Sequence, residues 1–453
     1  MSNITDLQQA LRGRLIQQSD AGFDEARQVY NAMHDKRPAL IIQAADTADV
    51  VASVNHARIN GLDVAVRGGG HSVPGYGTCD GGLVIDLGLL NHVVVDPENR
   101  IVQAGGGCTL GGVDHATHAY GLAVPGGTVS STGLGGLTLG GGMGHLSRSC
   151  GLSIDNLVGA EVVTANGDIV HCSEDNEPDL FWAIRGGGGN FGVVTSFAFV
   201  GHHVPSVFAG PTFFEPDAQV IRNYQRLVQE APWELNAILA FAQAPPAPFV
   251  PEAWHLKPVI GILSCWSGDD DQDEDLPDMV ASAGKVVGQA MWRMPYPQVN
   301  TFFDELLPRG LRHYWKASAA REFPEGAIAA HMEYGTKVPT IEGGNFIFST
   351  DGACHQVDEQ ATAFANRSAC FSSALSAIWH QPEDDQRNIQ WVRDYYDALA
   401  PHSDPGAYIN FMADDEDMDL DSNFGAKYLK LRELKAQYDP DNLFHHNQNI
   451  PPA

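Results

Sequence analysis

The sequence predicts an α+β protein in which short strands and helices alternate and glycine-rich turns interrupt them. Its 453 residues exceed what one hydrophobic core usually holds, so roughly two or three core-forming units are expected. Apolar residues make up 43% and charged residues 18% of the chain, as in a well-buried globular protein. Three glycine clusters fall within the first part of the chain, and their conformational-entropy cost requires a reason.

The first part of the chain has a strand–helix–strand pattern. Residues 1–36 carry apolar positions at helical spacing and are expected to form a surface cap. A helix over Ala45–Asn60 then joins strands over Ala39–Gln43 and Val64–Arg67. The dipeptide Asn166-Gly167 lies between two apolar runs and predicts a hairpin. The other predicted elements here are a helix over Asp114–Tyr120 and strands over Gly82–Asp86, His92–Val95, Ile101–Ala104, Gly159–Thr164, Ile169–His171 and Val193–Phe199.

From about Pro205 the composition changes, and a second, mixed unit is expected. Proline-rich links such as Ala244–Pro251 separate its elements. Tyr408–Phe411 (YINF) is then predicted to be one more strand, ahead of a tail that closes the chain. The predicted elements of this unit are helices over Gln219–Glu230, Leu276–Gly288 and Val357–Ser373 and strands over Ala237–Ala242, Pro258–Cys265 and Gly344–Ser349.

Charge excludes several classes of function. The chain has 56 acidic and 27 basic side chains and a net charge of −29. Nucleic-acid binding needs a basic face to neutralise phosphates, and binding to anionic membranes needs one too, so neither partner is expected. The excess of acid keeps the protein soluble, and a saline habitat is left open. A small-molecule substrate is expected, with a monomer or a homodimer as the assembly.

Cysteine usage and the first residues bear on the compartment. Seven cysteines are scattered without a CxxC pair, which favours free thiols in a reducing compartment over a disulfide framework or a zinc site. The first residues are polar, which argues against a secretory signal, and no apolar run approaches the roughly 20 residues that span a bilayer. A cytoplasmic location is therefore expected.

The glycine clusters are the first chemical signal. They cover Arg67–Gly77 (RGGGHSVPGYG), Gly126–Gly144 and Phe181–Gly192. The first follows a predicted strand, at the end where open α/β sheets collect ligands. Converging backbone amides suit a large, flat, phosphate-bearing group, and we interpret that group as a flavin. Neither a P-loop nor a clean GxGxxG motif is present, and glycines that serve only tight turns and close packing are the alternative.

His71, directly after three glycines, is the second signal. A histidine in a loop is often only polar surface, but at a strand end it could be a metal ligand, a general base or a covalent tether. No cysteine, aspartate or second histidine sits near it at ligand spacing, so no metal site is expected.

Five ordered blocks carry a family resemblance. They read RGGGHSVPGYG, GLGGLTLGGGMGHLSRSCGLSIDNLVGAEVVTANG, FWAIRGGGGNFGVVT, YINF and YDPDNLFHHNQNIPP. Together they resemble the berberine bridge enzyme-like branch of the vanillyl alcohol oxidase flavoprotein superfamily. The resemblance implies a two-part FAD-binding domain of the PCMH type, formed by residues 1–204 and 406–453. A substrate domain over residues 205–405, with an antiparallel sheet covered by helices, is implied between them.

The resemblance also implies how the cofactor is held. His71 stands where the family attaches FAD through its 8α-methyl group. Many members add a bond from a cysteine, but Val129 occupies that position here, so a single histidyl link is expected, as in the monocovalent subgroup. Thr132 matches the position beside flavin N5 that influences access of oxygen. The residues predicted to bind FAD are Arg67, Gly68, Gly69, Gly70, His71, Ser72, Gly75, Tyr76, Gly127, Thr128, Val129, Thr132, Gly133, Gly135, Gly136, Leu137, Gly140, Gly141, Gly142, Gly144, Gly192, Val193, Val194, Asn410, Asn447 and Gln448.

On the substrate side, Tyr408 and Asn410 match the family's Y-x-N-[YF] strand, whose tyrosine acts as, or assists, the base. With Thr132 they are the predicted catalytic residues. A free phenol has a pKa of about 10, so a cation or hydrogen bonds would have to lower the pKa of Tyr408. Four residues of the substrate domain are candidates for either the pocket or the core: Trp315, Lys316, Asp351 and His355.

The function that the resemblance implies is that of an FAD-dependent oxidase. Hydride passes from a substrate C–H bond of an alcohol, sugar or related molecule to flavin N5, and O₂ reoxidises the flavin to give H₂O₂. Combined with Leu137, Val129 and Thr132 also resemble a subgroup that works through a flavin N5-oxide, so a monooxygenase of secondary metabolism is the alternative. A flavin-carrying binding protein without turnover is the third possibility.

Overall fold

The computed structural model describes residues 4–269, 272–414 and 420–453. The strands are β1 Arg14–Gln17, β2 Leu40–Gln43, β3 Val64–Arg67, β4 Leu83–Asp86, β5 Val93–Asp96, β6 Ile101–Gly105, β7 Leu122–Ala123, β8 Leu157–Val163, β9 Ile169–Cys172, β10 Val193–Val200, β11 His202–His203, β12 Ser206–Phe214, β13 Leu235–Gln243, β14 Pro258–Trp266, β15 Val286–Gln289, β16 Trp292–Pro295, β17 Arg312–Ala320, β18 Gly344–Ser349 and β19 Phe371–Trp379. The helices are α1 Ile4–Ala10, α2 Phe23–Ala26, α3 Thr47–Asn60, α4 Leu110–His118, α5 Leu134–Leu139, α6 Ser147–Cys150, α7 Pro178–Ile184, α8 Ala218–Glu230, α9 Leu276–Ala281, α10 Tyr296–Val299, α11 Glu325–Gly335, α12 Asp385–Leu399, α13 Leu420–Phe424 and α14 Tyr428–Tyr438. In this part of the chain, no helix combines the length and the apolar character needed to cross a membrane.

The first sheet positions the first glycine cluster. Its strand order is β1-β2-β4-β3, with β2 and β3 both parallel to β4 and β1 antiparallel to β2. Helix α3 connects β2 to β3, and the Asp46 side chain caps its first turn by accepting from the Asp49 N–H at 3.1 Å. Strand β3 ends at Arg67, whose guanidinium pairs with Asp86 at the end of β4 at 2.8 Å. The glycines therefore leave the sheet at the carboxyl edge of parallel strands, as predicted.

The second sheet is antiparallel and carries the other two glycine clusters around it. Its order is β5-β6-β10-β8-β9. Strands β8 and β9 form the predicted hairpin, in which Val163 pairs with Ile169 and Gly167 has a φ of +83°. The second cluster lies between β7 and β8, and the third begins in the last turn of α7 and ends just before β10.

The third sheet is the largest and confirms the predicted antiparallel sheet covered by helices. Seven strands follow the order β15-β12-β14-β13-β18-β19-β17, and β16 also pairs with β12. One face packs on helices α8 and α11, where Ile347 of β18 joins the buried residues Ile221 and Tyr224. Phe348, the next residue along β18, lies in a different cluster with Tyr408. The second face of this sheet is therefore turned toward the YINF segment.

Three predicted helices are corrected. Within the described residues 4–36 only α1 and α2 are α-helical, and β1 instead adds a strand to the first sheet because Ile16 packs there against Phe23. The helix predicted over Leu276–Gly288 ends at Ala281, and β15 pairs with β12 after it. The helix predicted over Val357–Ser373 is absent from this described segment, which instead contains the 3₁₀ turn Glu359–Ala361 and the start of β19.

The predicted YINF strand is also corrected. Ile409–Phe411 form a 3₁₀ turn, and only Tyr408, just before it, has extended backbone. The tight turn brings the Tyr408 hydroxyl and the Asn410 side-chain nitrogen to 2.8 Å from each other. Their proximity therefore comes from the turn and not from a shared strand face.

A buried ion pair in the C-terminal segment attaches helix α14 to Asn190, which lies just before strand β10. Lys435 Nζ lies 2.6 Å from the Asp439 carboxylate, and both side chains are fully buried. The same ammonium donates to the Asn190 and Phe444 carbonyl oxygens at 2.8 and 2.9 Å. Asp439 also accepts from the Leu443 and Phe444 N–H groups at 2.8 Å each.

Replacement of Lys435 tests this attachment. Lys435→Met should lower the free energy of unfolding by about 3–5 kcal/mol, because it leaves a buried carboxylate without its cation. Lys430→Met is the matched control on the same helix, since Lys430 pairs with Asp179 at 3.1 Å on the exposed surface, and it should cost about 1 kcal/mol or less. Urea unfolding of both variants measures the difference, and equal losses would contradict the assigned role of Lys435.

Candidate active site

One cavity collects the predicted cofactor-binding residues from all parts of the chain. It lies where the glycine clusters, the third sheet, the YINF turn and the tail meet. The predicted residues that line it are Arg67, Gly68, Gly69, Gly70, His71, Ser72, Tyr76, Gly127, Thr128, Val129, Thr132, Gly133, Gly135, Gly136, Leu137, Gly192, Val194, Tyr408, Asn410, Asn447 and Gln448.

Six predicted residues are not part of the cavity lining: Gly75, Gly140, Gly141, Gly142, Gly144 and Val193. Close packing behind the wall accounts for several of them. A Cβ on Gly140 would lie 2.3 Å from Asn410 Oδ1, and one on Gly144 would lie 2.2 Å from the Gly126 carbonyl oxygen. Val193 is fully buried in β10, where it pairs with Val163. Gly140 and Gly144 therefore allow close packing behind the cavity lining, whereas the predicted glycines within the lining face the cavity.

The first two glycine clusters touch each other through their backbones. A Cβ on Gly69 would lie 2.3 Å from the Gly133 nitrogen, and a Cβ on Gly133 would lie 2.2 Å from the Gly69 nitrogen. Gly136 and Gly189 behave differently, because a Cβ at either position would meet no atom within 4 Å. Both line the cavity, so they leave bare backbone facing open space. This surface fits a large planar group such as the flavin of FAD.

His71 is held at this junction by a stacked ring and a hydroxyl. Its ring lies on Tyr30 with a centroid distance of 3.8 Å, and its Nε2 is 2.9 Å from Ser131 Oγ. Burial, with smaller effects from Arg309 and His313, lowers the pKa of His71 to about 3. The imidazole is therefore neutral at physiological pH and keeps a nitrogen lone pair.

Tyr408 and Asn410 form a compact polar group at the cavity. The Tyr408 hydroxyl oxygen accepts from the Gly142 N–H at 2.9 Å and from Asn410 Nδ2 at 2.8 Å. Asn410 Nδ2 also donates to the Leu137 carbonyl at 3.0 Å, which joins the YINF turn to helix α5. Burial raises the pKa of Tyr408 to about 12 even though these hydrogen bonds oppose it. The lowered pKa that a phenolate base requires is not found, and Tyr408 is a neutral phenol at neutral pH.

The position that matches the family's second attachment site lies on the cavity wall. Val129 and Thr132 both line the cavity, three residues apart in the second cluster. None of the described lining residues is a cysteine. All seven cysteines of the chain are free thiols, and five of them are buried.

The tail closes the cavity from the other side. Gln448 donates through Nε2 to the Ile409 carbonyl at 2.8 Å, and its own carbonyl accepts from Asn190 Nδ2 at 3.1 Å. The two histidines of the tail lie near an aspartate. His445 and His446 face Asp63, just before β3, at 3.5 and 3.9 Å.

Asp63, His445 and His446 each offer one atom that could bind a metal ion, and these atoms lie within 4.8 Å of one another. The spacing of these residues in the sequence could not reveal this cluster.

Ten further lining residues form a surface that we call the apolar wall. Sequence patterns did not identify it, because its residues come from separate elements, at most three from any one of them. Trp315, a candidate for pocket or core, belongs to the wall, whereas Lys316 lies over the Tyr396 ring. Asp351 pairs with Arg148 at 2.7 Å, and His355 contacts the Ala369 carbonyl, so neither lines the cavity. The apolar wall consists of Ile238, Phe303, Leu307, Trp315, Phe346, Phe348, Ala374, Ser376, Ile378 and Phe411.

Known proteins share both the sequence blocks and the fold. A family described as FAD binding domain matches residues 38–173, and one described as berberine and berberine like matches residues 407–451. An FAD-linked oxidoreductase of Dictyostelium discoideum is 32% identical over 422 residues, covering 92% of this chain and 89% of that protein. (R)-6-hydroxynicotine oxidase of Paenarthrobacter nicotinovorans is 30% identical over 454 residues, covering 98% and 97% of the two chains. The crystal structure of 6-hydroxy-D-nicotine oxidase from Arthrobacter nicotinovorans matches with a TM-score of 0.88 and 27% identity over 100% of each chain.

Substitutions of Gly133 and Gly136 test which glycine is needed for packing of the backbone and which for contact with the cofactor. Gly133→Ala should destabilise the fold by about 1–3 kcal/mol, because its Cβ would collide with backbone at Gly69. Gly136→Ala lies inside helix α5 with free space around it, so the apoprotein should keep or gain stability. Its methyl group should nevertheless obstruct FAD and reduce the flavin content. Thermal unfolding of the apoproteins and the flavin-to-protein absorbance ratio test both expectations, and unchanged flavin content in Gly136→Ala would contradict the second.

Proposed function

Because this chain belongs to the berberine bridge enzyme-like FAD-linked oxidoreductases, we propose that it is an FAD-dependent oxidase that consumes O₂ and releases H₂O₂. The observation that carries the proposal is the single cavity that brings His71, Thr132 and Tyr408 together beside bare glycine backbone. FAD supplies the hydride acceptor and the reaction with O₂, and the protein supplies binding, orientation and exclusion of water.

We assign cofactor binding to residues 1–204 and 406–453 and substrate binding to residues 205–405. The strands of the first two sheets, β1–β6 and β8–β10, lie within the first segment, and the eight strands β12–β19 of the third sheet lie within the second. Lys435 and Gln448 of the third segment both contact Asn190 of the first, which supports the return of the third segment to the cofactor side.

His71 is the proposed attachment point of FAD. A covalent bond to a carbon atom requires a nitrogen lone pair, and the buried, neutral imidazole has one. Ser131 and Tyr30 fix the plane of the ring, the hydroxyl through Nε2 and the phenol by stacking. The valine at position 129 supports a single bond between protein and flavin.

Tyr408 is the proposed catalytic hydrogen-bond donor. Its oxygen already accepts from Gly142 and Asn410, so its own proton is available to a group in the cavity. A neutral phenol can hold the oxygen or nitrogen of a substrate while the adjacent C–H bond breaks. Asn410 positions this phenol, and Thr132 is proposed to stand beside the reacting face, where its small side chain leaves room for O₂.

Loss of His71 should separate flavin from protein. After acid precipitation, wild-type protein should retain its yellow colour in the pellet, whereas His71→Ala should release its flavin to the supernatant. His118→Ala is the control, because His118 is at the end of helix α4 and does not line the cavity. Flavin absorbance of the two fractions measures the outcome, and complete release from wild-type protein would exclude the tether.

Loss of the Tyr408 hydroxyl should slow flavin reduction. Tyr408→Phe should lower the rate by about 10²- to 10⁴-fold, the usual contribution of a positioned proton donor or acceptor. Because the pKa of Tyr408 is raised to about 12, its protonation does not change between about pH 6 and pH 9, and the ratio of the two rates should be constant there. Anaerobic stopped-flow measurements with an active substrate test this. If the ratio of the wild-type rate to the Tyr408→Phe rate rises tenfold per pH unit, the reaction requires a phenolate base instead.

A further inference from the structure

The apolar wall shows which kind of molecule the cavity receives. Seven of its ten members lie on one face of neighbouring strands of the third sheet, where Phe346 and Phe348 alternate with Ile347, which packs into the helix-covered core. Ala374 on the next strand pairs with Phe346, and Trp315 beyond it pairs with Ser376. Side chains from one pleated face therefore form a continuous surface opposite the glycine clusters.

Aromatic rings dominate this surface. Phe411 lies at its centre, with ring centroids 4.7 Å from Tyr408, 5.3 Å from Phe348 and 6.0 Å from Trp315. Phe303 meets Phe346 edge to face at 5.7 Å. Phe303, Phe346 and Phe411 are only partly buried, so their faces remain open to a bound molecule. Edge and face contacts of this kind favour another ring.

The wall offers little to a polar or charged ligand. None of its described members carries a charge, the Ser376 hydroxyl donates to the Gly344 carbonyl at 3.0 Å, and the buried indole N–H of Trp315 is a hydrogen-bond donor without a partner among the described residues. The Asn410 amide nitrogen beside it is committed to Tyr408 and Leu137. Against this wall the several hydroxyl groups of a saccharide would find few hydrogen-bond partners, and a carboxylate would be buried without a cation.

We propose that the substrate is an uncharged, largely apolar ring compound with one oxidisable alcohol or amine group, and not a saccharide or a carboxylate. This inference rests on the proposed function. The Tyr408 hydroxyl would bind the oxygen or nitrogen of that group while the ring lies on Phe346 and Phe411. The reaction breaks the adjacent C–H bond with its electron pair, releases the proton from oxygen or nitrogen and forms a C=O or C=N bond. O₂ takes up the two electrons and two protons as H₂O₂.

Binding to the flavin-containing protein tests the proposal without depending on turnover. We would titrate naphthalene-2-methanol, naphthalene-2-carboxylate and xylobiose by isothermal calorimetry under anaerobic conditions. The alcohol should bind at least tenfold more tightly than the carboxylate and at least a hundredfold more tightly than xylobiose. Equal affinity for alcohol and carboxylate, or tighter binding of xylobiose, would overturn the proposal.

Substitutions of Phe346 test whether naphthalene-2-methanol binds at the apolar wall. Phe346→Ser should weaken binding of naphthalene-2-methanol at least tenfold, and Phe346→Leu, which keeps an apolar side chain and the fold, should weaken it less. Phe213→Ser is the matched control, because Phe213 stacks on Phe249 at 6.0 Å and does not line the cavity. Affinity that is unchanged in both Phe346 variants would reject the wall as the binding surface.

A second measurement on the same samples distinguishes failure of the proposed oxidase function from failure of the proposed substrate class. Peroxide release is measured in parallel with naphthalene-2-methanol and xylobiose. Protein that binds the alcohol tightly but carries no flavin and releases no peroxide would contradict the oxidase function and leave the substrate class standing. Flavin-containing protein that releases peroxide from xylobiose alone would contradict the substrate class and leave the oxidase function standing.

Discussion

The backbone contact between Gly69 and Gly133 is the constraint on which the cavity depends. Neither position has room for a Cβ, so the two glycine clusters meet more closely than any other residue pair would allow. His71 follows Gly69 by two residues, and Ser131 precedes Gly133 by two residues. The contact between the glycines therefore brings His71 Nε2 to 2.9 Å from Ser131 Oγ. The pair Arg67–Asp86 fixes the strand end from which the first cluster leaves. The position of the imidazole is therefore set by packing of the main chain.

A chain of hydrogen bonds connects the C-terminal segment to the tyrosine. Lys435 donates to the Asn190 carbonyl, and the Asn190 side chain donates to the carbonyls of Gly187 and Gln448. Gln448 in turn donates to the Ile409 carbonyl, next to Tyr408. Buried polar groups of this kind are stable only when each has a partner, so displacement of the tail would leave several unpaired. The sequence-distant tail thus holds the YINF turn against the third glycine cluster.

Local signals determined what could be predicted from the sequence. Strand β3, helix α3 and the Asn166-Gly167 hairpin follow patterns contained in a few adjacent residues, and the structure has all three. Strand β19 is buried along its whole length, so it lacks the alternation that identifies a half-exposed strand, and sequence patterns predict no strand over Phe371–Trp379. The apolar wall depends on which face of the third sheet the helices cover, and that is decided by tertiary packing.

Exclusion of water explains both the chemistry of the site and the character of its wall. Burial lowers the pKa of His71 and raises that of Tyr408, and the two opposite shifts have the same result, since each group is neutral at physiological pH. The net charge of −29 is a property of the protein as a whole, whereas the apolar wall carries none. Since the same desolvation would penalise a charged ligand, a neutral imidazole, a neutral phenol and a neutral substrate are consequences of one physical cause. Recognition at the apolar wall must then come from shape, ring contacts and two proton donors, the Tyr408 hydroxyl and the Trp315 indole N–H.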